Sequence, residues 1–569
     1  MSSPHFAVDA PRVSATPTEE VEAAIESAAA AAHGWVRTPT ARRAELLRRC
    51  LEHTIACAPD WVRSASRAKG LDPDGPGAGQ EWLAGVMPLL RNLRLLAEAM
   101  DADGAPRPPA VRQRQDGRWV VRVYPAEPLD RVLIAGVRAD TWILPGREPT
   151  QGHIYGAKAR GELRDGGVAA VLGAGNVASI GPMDALTKLF ADDEVVVLKA
   201  NPVNAYLQPF WEEALRPLVD EGVFRVVRGG VEVGQRLVHH PEVSSVHITG
   251  SDRTHDAIVW GSDPEEQARR KAAQDPILTK PITSELGAVT PVLVVPGPWT
   301  DGDLRYQARH VAGMVENNAS FNCTAAQVLV TAARWPQRET FLEMVEEELA
   351  RTPPRLAYYP GAEQRYAAFL ERYPASKALV ERSEGVVPWT VIPNVPADAS
   401  EYALRTEAFC GVLAEVALEA GDPVPFLRKM VPFANDACWG TLSCTMLVHG
   451  EVARNYRKEL DQAIEGLRYG CISINAFSGL PYGIVTPPWG AFPGHSLSDI
   501  RSGRGFVHNT FLLDHPERTV LRAPFRMRPT PPWFSDHRTL HHLGRAMCEL
   551  EAAPSLRRLP AVLLAGLRG

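Results

Sequence analysis

Between residues 168 and 248 short β-branched runs alternate with amphipathic stretches, and the alternation predicts elements one by one. Strands are predicted at 168–172, 195–198, 225–227 and 245–248, with helices at 183–190, 207–221 and 231–240 between them. Such an order implies right-handed crossovers and a parallel sheet covered by helices, a Rossmann-like α/β domain. A second α/β series starts with the apolar run 291–295 and continues to about residue 467. Ahead of both, amphipathic patterns predict helices at 19–32, 41–58 and 80–100, followed by a glycine- and proline-rich loop at 101–109. Residues 1–16 read as disordered. β-Rich runs stand at 119–124 and 132–136, and no internal repeat is evident.

Composition narrows the class. A chain of 569 residues, 45% of them hydrophobic, can build several cores, so two or three domains are expected. The formal charge of −6 gives no footprint for nucleic acid. No apolar run reaches the roughly 18–20 residues of a membrane span, and the first residues lack a signal pattern, which argues against export. The eight cysteines have no paired spacing, so they fit a reducing cytoplasm better than a disulfide framework or a metal site. Cys50 and Cys57, seven apart in a helical pattern, read as core.

Two residues carry candidate chemistry. Cys323 is followed by small residues and then by Val328-Leu329-Val330, a setting that suits a nucleophile at the mouth of a strand. Glu285, in Thr283-Ser284-Glu285-Leu286-Gly287, stands on a tight turn from which a carboxylate approaches that thiol. Thiolate attack on a carbonyl, with a separate carboxylate to activate water, is covalent catalysis in two steps. Either residue alone is bland, since an unionised thiol packs well in a core.

The order of motifs around them resembles the aldehyde dehydrogenase superfamily, from about residue 17 to about residue 520. The resemblance rests on Ile248-Thr249-Gly250-Ser251, Glu285-Leu286-Gly287, the Asn318 to Cys323 segment and Glu407-Ala408-Phe409. It implies N-terminal helices and a dinucleotide-binding domain over 17–285, with a bridging β hairpin at about 119–165. A nucleophile domain follows over 286–467, then a return to the cofactor and oligomerisation region over 468–521. Residues 522–569 exceed the family's usual end, and the apolar piece 559–565 is expected to pack on the body. The resemblance also implies that the hairpin pairs with a segment returning at 505–513 and with another subunit, in a homodimer or homotetramer.

Cofactor residues follow from the same resemblance, because the Gly-x-Gly-x-x-Gly fingerprint is absent after the first strand. Lys199 would meet the adenosine ribose or a 2′-phosphate. Gly229 and Gly234 would let a helix start approach the pyrophosphate. Ser251, after Gly250, would bond a phosphate oxygen, Glu407 would bind the nicotinamide ribose, and Phe409 would pack near that ring. Three positions depart from the family pattern. Pro202 replaces an acidic residue that would repel a 2′-phosphate, which leaves NAD and NADP both open. His255 replaces a glycine, and Ser320-Phe321 replaces a Gly-Gln pair, which stiffens the loop before the nucleophile. Phe321, Phe477 and Trp489 are expected to shape an apolar substrate channel.

The implied reaction is aldehyde oxidation. The Cys323 thiolate attacks the aldehyde, and the Asn176 amide with the Cys323 backbone N–H holds the alkoxide. Hydride loss leaves a thioester, and Glu285-activated water hydrolyses it to a carboxylic acid. The Gly175-Asn176-Val177 segment also resembles fatty-acyl reductases of bacterial bioluminescence, a branch that runs thioester chemistry toward aldehyde. Retention of Glu285 favours oxidation. A silent binding protein on the same scaffold is the third reading, motivated by His255 and Ser320-Phe321 and opposed by the retained catalytic set.

Overall fold

The structure, a computed structural model, describes residues 13–569. Two sheets organise it. The first has six strands in the order Gly503–Arg504, Ile282–Leu286, Val243–Gly250, Gly167–Leu172, Glu194–Ala200 and Phe224–Arg228. All neighbours run parallel except the two-residue strand Gly503–Arg504. The chain order therefore reverses beside Gly167–Leu172, and in such sheets the crevice beyond the strand ends at the reversal is where ligands bind. Val168 to Val171 and Val195 to Leu198 are buried on both faces, which explains why these strands read as continuous apolar runs.

The second sheet has eleven strands. Its parallel centre comprises Pro516–Arg522, Cys471–Ile474, Ser443–Leu447, Pro291–Val294, Val328–Ala332, Val412–Leu418 and Thr390–Ile392. Arg138–Ile143, Trp119–Tyr124 and Ala110–Gln113 extend it antiparallel on one side. The expected α/β architecture with two sheet-based units and a hairpin is thus present.

Several sequence readings need correction. The strand that meets the hairpin is Pro516–Arg522, paired with Arg138–Ile143, whereas the segment 505–513 touches that region at Gln151 and Gly152, through a Gln151–Leu513 bridge and hydrogen bonds to the Phe511 and Leu512 carbonyls. The run 132–136 is not a strand; Asp130–Leu133 is a helical turn, and Asp130 is tied to Arg91 of an N-terminal helix. The stretch 468–521 returns to the first sheet only at Gly503–Arg504, because Cys471–Ile474 and the strand from Pro516 join the second sheet and Pro488–Trp489 pairs with Val507–His508 in a small sheet of their own. The helix expected to stop at 58 runs Thr40–Ala68 through Pro59, since Trp61, Val62 and Ala65 beyond the proline join the same core as Leu47 and Cys50. The 207–221 helix breaks at Leu215 into Gln208–Ala214 and Arg216–Asp220, with Pro217 opening the second piece. The predicted disorder of residues 1–12 lies outside the described residues, while Thr16 is already fixed by two hydrogen bonds to the Arg228 backbone.

The C-terminal segment packs on the body, as expected. Helices Leu540–Ala552 and Leu559–Leu567 form a pair whose buried Leu543, Leu550 and Val562 meet Leu83, Leu129 and Leu133. Glu551 anchors them, bridging Arg91 and Arg94 of helix Met87–Asp101 at 2.7 Å each.

Candidate active site

Register brings the candidate residues to one level. In the first sheet Leu172 lies beside Lys199 and Ile248, Lys199 beside Val227, and Thr249 beside Glu285. The loops that leave these strand ends carry Asn176, Gly229, Ser251 and Gly287. In the second sheet Val328 lies beside Pro291 and Ala414, and the segments entering those strands carry Cys323, Gly287 and Phe409. The site therefore sits where the carboxyl ends of one sheet face the amino ends of the other.

Cys323 is partly buried among Ala288, Leu442, Trp489 and Tyr482, and its carbonyl accepts a bond from the Thr290 hydroxyl at 3.0 Å. Burial, followed by the charges of Glu285 and Glu407, pushes its thiol well above the usual range. Glu285 is 3% exposed. Burial and then the buried Asp184 raise its carboxyl to about 8, opposed by the nearness of the Cys323 thiol and the Trp489 ring N–H. Sulfur and carboxyl are thus direct neighbours. Glu407 folds back toward the same turn, accepting the Ala288 N–H at 3.3 Å, and burial raises it to about 8. A Cβ on Gly287 would lie 2.1 Å from a Glu407 oxygen, so that turn requires glycine.

Asn176 is buried beside the nucleophile loop. Its side-chain amide donates to the Phe321 carbonyl at 3.1 Å, and the group carries a second hydrogen for a further acceptor. Its backbone carbonyl is gripped by Lys69 at 3.1 Å, Asn318 at 2.9 Å and Tyr358 at 3.1 Å. Lys69 is in turn paired with Glu81 at 2.8 Å. Asn318, Ala319 and Ser320 take φ of 54°, 56° and 66°, a left-handed run that only glycine enters freely. Ser320 stands there in place of the family's glycine.

Phe321 does not line the channel. It is 1% exposed and packs against Tyr358, Tyr359 and Phe409, since the left-handed run turns it into the core. Phe477 and Trp489 do line a cavity of about 240 Å³ that reaches Cys323. Asn318, which opens the motif ending at Cys323, was not read as a partner of Asn176, and Lys69, Asp184 and Tyr482 were missed in the sequence. Each of these three is an isolated polar or aromatic residue in a helix or loop, with no motif spacing to single it out.

The dinucleotide residues gather in two places. Lys199 lies over Gly234, whose added Cβ would touch its chain at 3.6 Å. Its ammonium has no side-chain partner among the described residues, and burial lowers it to about 8. Gly229 precedes helix Val231–His239, and a Cβ on Gly230 would meet open space. Gly250 and Ser251 are exposed, with Ser251 capping helix Asp252–Trp260. A cation lacking a partner, the open Gly230 and an exposed helix start fit a dinucleotide phosphate and ribose. His255 is fully buried in that helix, its Nε2 without a partner. Phe409 lies beneath Arg365, whose guanidinium bonds the Ala408 and Phe409 carbonyls. No group of three or more residues that could hold a metal ion exists among the described residues.

Comparison with known proteins agrees with this geometry. Residues 164–354 match the model of the aldehyde dehydrogenase family. A Staphylococcus haemolyticus chain named "Putative aldehyde dehydrogenase" is 24% identical over 344 residues, covering 56% of this chain and 67% of that one. Matches to Staphylococcus aureus chains span 31% of their length. Among solved structures, the aldehyde dehydrogenase KauB of Pseudomonas aeruginosa superposes with a TM-score of 0.61 at 18% identity, covering 90% of both chains. A variant of aldehyde dehydrogenase C from Pseudomonas syringae, complexed with NAD+ and octanal, gives 0.58 at 18% identity and 90% of both chains. At these identities the structural likeness is one of fold.

Proposed function

We propose, for a chain that belongs to the aldehyde dehydrogenase superfamily, that it is an enzyme oxidising an apolar aldehyde to a carboxylic acid with NAD or NADP. The observation that carries this reading is the meeting of the Cys323 thiol with the Glu285 carboxyl at an apolar cavity. Cys323 forms the C–S bond to the aldehyde carbon, and its proton passes to the neighbouring Glu285 when that carboxyl is ionised. Asn176, braced through its carbonyl, turns its amide toward the nucleophile loop and supplies a donor for the developing oxyanion. Bound near Lys199, Ser251 and Glu407, NAD or NADP would supply the hydride acceptor that leaves Cys323 acylated. Glu285 gives the thiol proton up to solvent, then takes a proton from water as the oxygen attacks the thioester and hands it to the departing sulfur, which releases the acid and regenerates the thiol. Trp489 and Phe477 exclude bulk water from the acyl chain.

The test is turnover of medium-chain aldehydes with each cofactor. Wild type should reduce NAD or NADP, and Cys323→Ser should lose at least about a thousandfold in kcat with its fold intact. Equal activity of the variant would remove the mechanism. A second reading, acyl-thioester reduction to aldehyde, draws support from Glu285 itself. With its carboxyl raised to about 8, the base is mostly protonated at neutral pH and a thioester survives longer. NADPH consumption that depends on acyl-CoA, without aldehyde oxidation, would favour it.

Assembly and location are proposed on smaller grounds. Ala110–Gln113 is exposed along its whole length at the edge of the second sheet, and such an edge invites pairing. A homodimer or homotetramer is the proposed state, and light scattering that returns a monomer mass would exclude it. All eight cysteines are free thiols, which supports the cytoplasm. No helix among the described residues is long and apolar enough to cross a membrane.

A further inference from the structure

The cavity that reaches Cys323 does not end near it. It continues past Tyr482, Ile484 and Leu83 to a far wall built by Met547, Val562, Leu563 and Gly566. Those four residues belong to the two helices that follow the last strand of the second sheet. One continuous space of about 240 Å³ thus joins the nucleophile to the C-terminal segment. Its side wall near the exit is completed by Met527, Pro529 and Trp533 of the same segment.

We propose that residues 524–569 are the substrate-selecting wall of this site, and that they select an aldehyde with a long apolar chain. The proposal rests on the aldehyde reading above and goes beyond it to the tail of the substrate. The far wall is apolar, and the buried charged groups that border the cavity are occupied with one another, while Arg528 is exposed. Arg91 is held by Asp130 at 2.8 Å and by Glu551 at 2.7 Å, and Lys69 by Glu81 at 2.8 Å. No buried charge is left along the far wall for a polar tail, whose own groups would be buried without partners. A methylene chain loses nothing in such a wall and gains from each carbon removed from water, about fourfold in affinity per methylene.

The wall is also built to stay in place. Glu551 is 2% exposed and locks helix Leu540–Ala552 to Arg91 and Arg94. The Cys548 thiol bonds the Trp82 carbonyl at 3.7 Å. Gly566 lets the last helix approach Pro529, where a Cβ would come within 3.2 Å. The far end of the cavity is therefore a fixed surface, which gives selection by chain length.

The experiment is a kcat/KM series from propanal to dodecanal on the full-length enzyme, with Leu563→Trp and Met547→Trp as separate variants. Wild type should climb steeply with chain length, and each variant should cut the dodecanal-to-propanal ratio at least tenfold while melting near the wild-type temperature. A flat wild-type series overturns the proposal, as does a ratio that moves less than twofold in a folded variant. Calorimetric titration with dodecanoate separates this from failure of the aldehyde reading. If no aldehyde is oxidised, dodecanoate binding that weakens tenfold in Leu563→Trp upholds the wall, and binding indifferent to both variants refutes it.

Discussion

At the scale of single residues, Glu285 decides the pH behaviour. Its burial beside Asp184 raises the carboxyl to about 8, so it is neutral below that pH and becomes a base above it. Thioester hydrolysis should therefore rise with pH through about 8, a limb that single-turnover and steady-state rates measured from pH 6 to 9 will show. Glu285→Gln should flatten the limb and, because the same carboxyl takes the thiol proton, slow the first burst of reduced cofactor as well. A midpoint near the usual carboxylate range, or the same limb in the variant, would contradict the assignment. Cys323 and Glu285 were legible as residues because their motifs are local. Their approach across 38 positions was expected too, but the burial of the carboxyl beside Asp184 was not, since only the facing ends of two sheets create it. Phe321 shows the opposite failure: an aromatic residue beside a nucleophile suggests a channel wall, but backbone handedness turned it inward.

Among local elements, the loop before the nucleophile carries the clearest strain. Ser320 sits at φ 66° with its hydroxyl buried and lacking a partner. A non-glycine residue there costs on the order of 1 kcal/mol, and an unsatisfied buried hydroxyl adds to it. Ser320→Gly should accordingly stabilise the protein by about 1–2 kcal/mol in urea unfolding. A loss of stability would mean that the hydroxyl or the stiffness contributes something not visible in the contacts. The departure at this position was plain in the sequence, whereas the three consecutive left-handed residues were not. Helix ends followed the same division. Ser251 was legible as a turn residue, and Pro59 was misread as a stop because tertiary burial of Trp61 and Val62 outweighs the lost backbone bond.

For the molecule as a whole, Glu551 is the tie between the C-terminal helices and the N-terminal ones. Removing its charge leaves Arg91 and Arg94 to share Asp130 and Glu127, both guanidiniums being under a tenth exposed. Glu551→Gln should cost about 3 kcal/mol, the lower end for a broken buried pair because partners remain. Chemical unfolding monitored against wild type will measure it, and a change under about 0.5 kcal/mol would show that apolar packing alone holds the segment.

The chain by itself determined its α/β class, four of the six strands of the first sheet, and the candidate nucleophile and base, because periodicity and short motifs are local properties of neighbouring residues. Folding alone decided which strand closes the hairpin, how Lys69, Asn318 and Tyr358 brace Asn176, and that the C-terminal helices border the cavity of Cys323. Those outcomes depend on contacts between residues hundreds of positions apart, and their geometry is fixed by packing that no local pattern encodes.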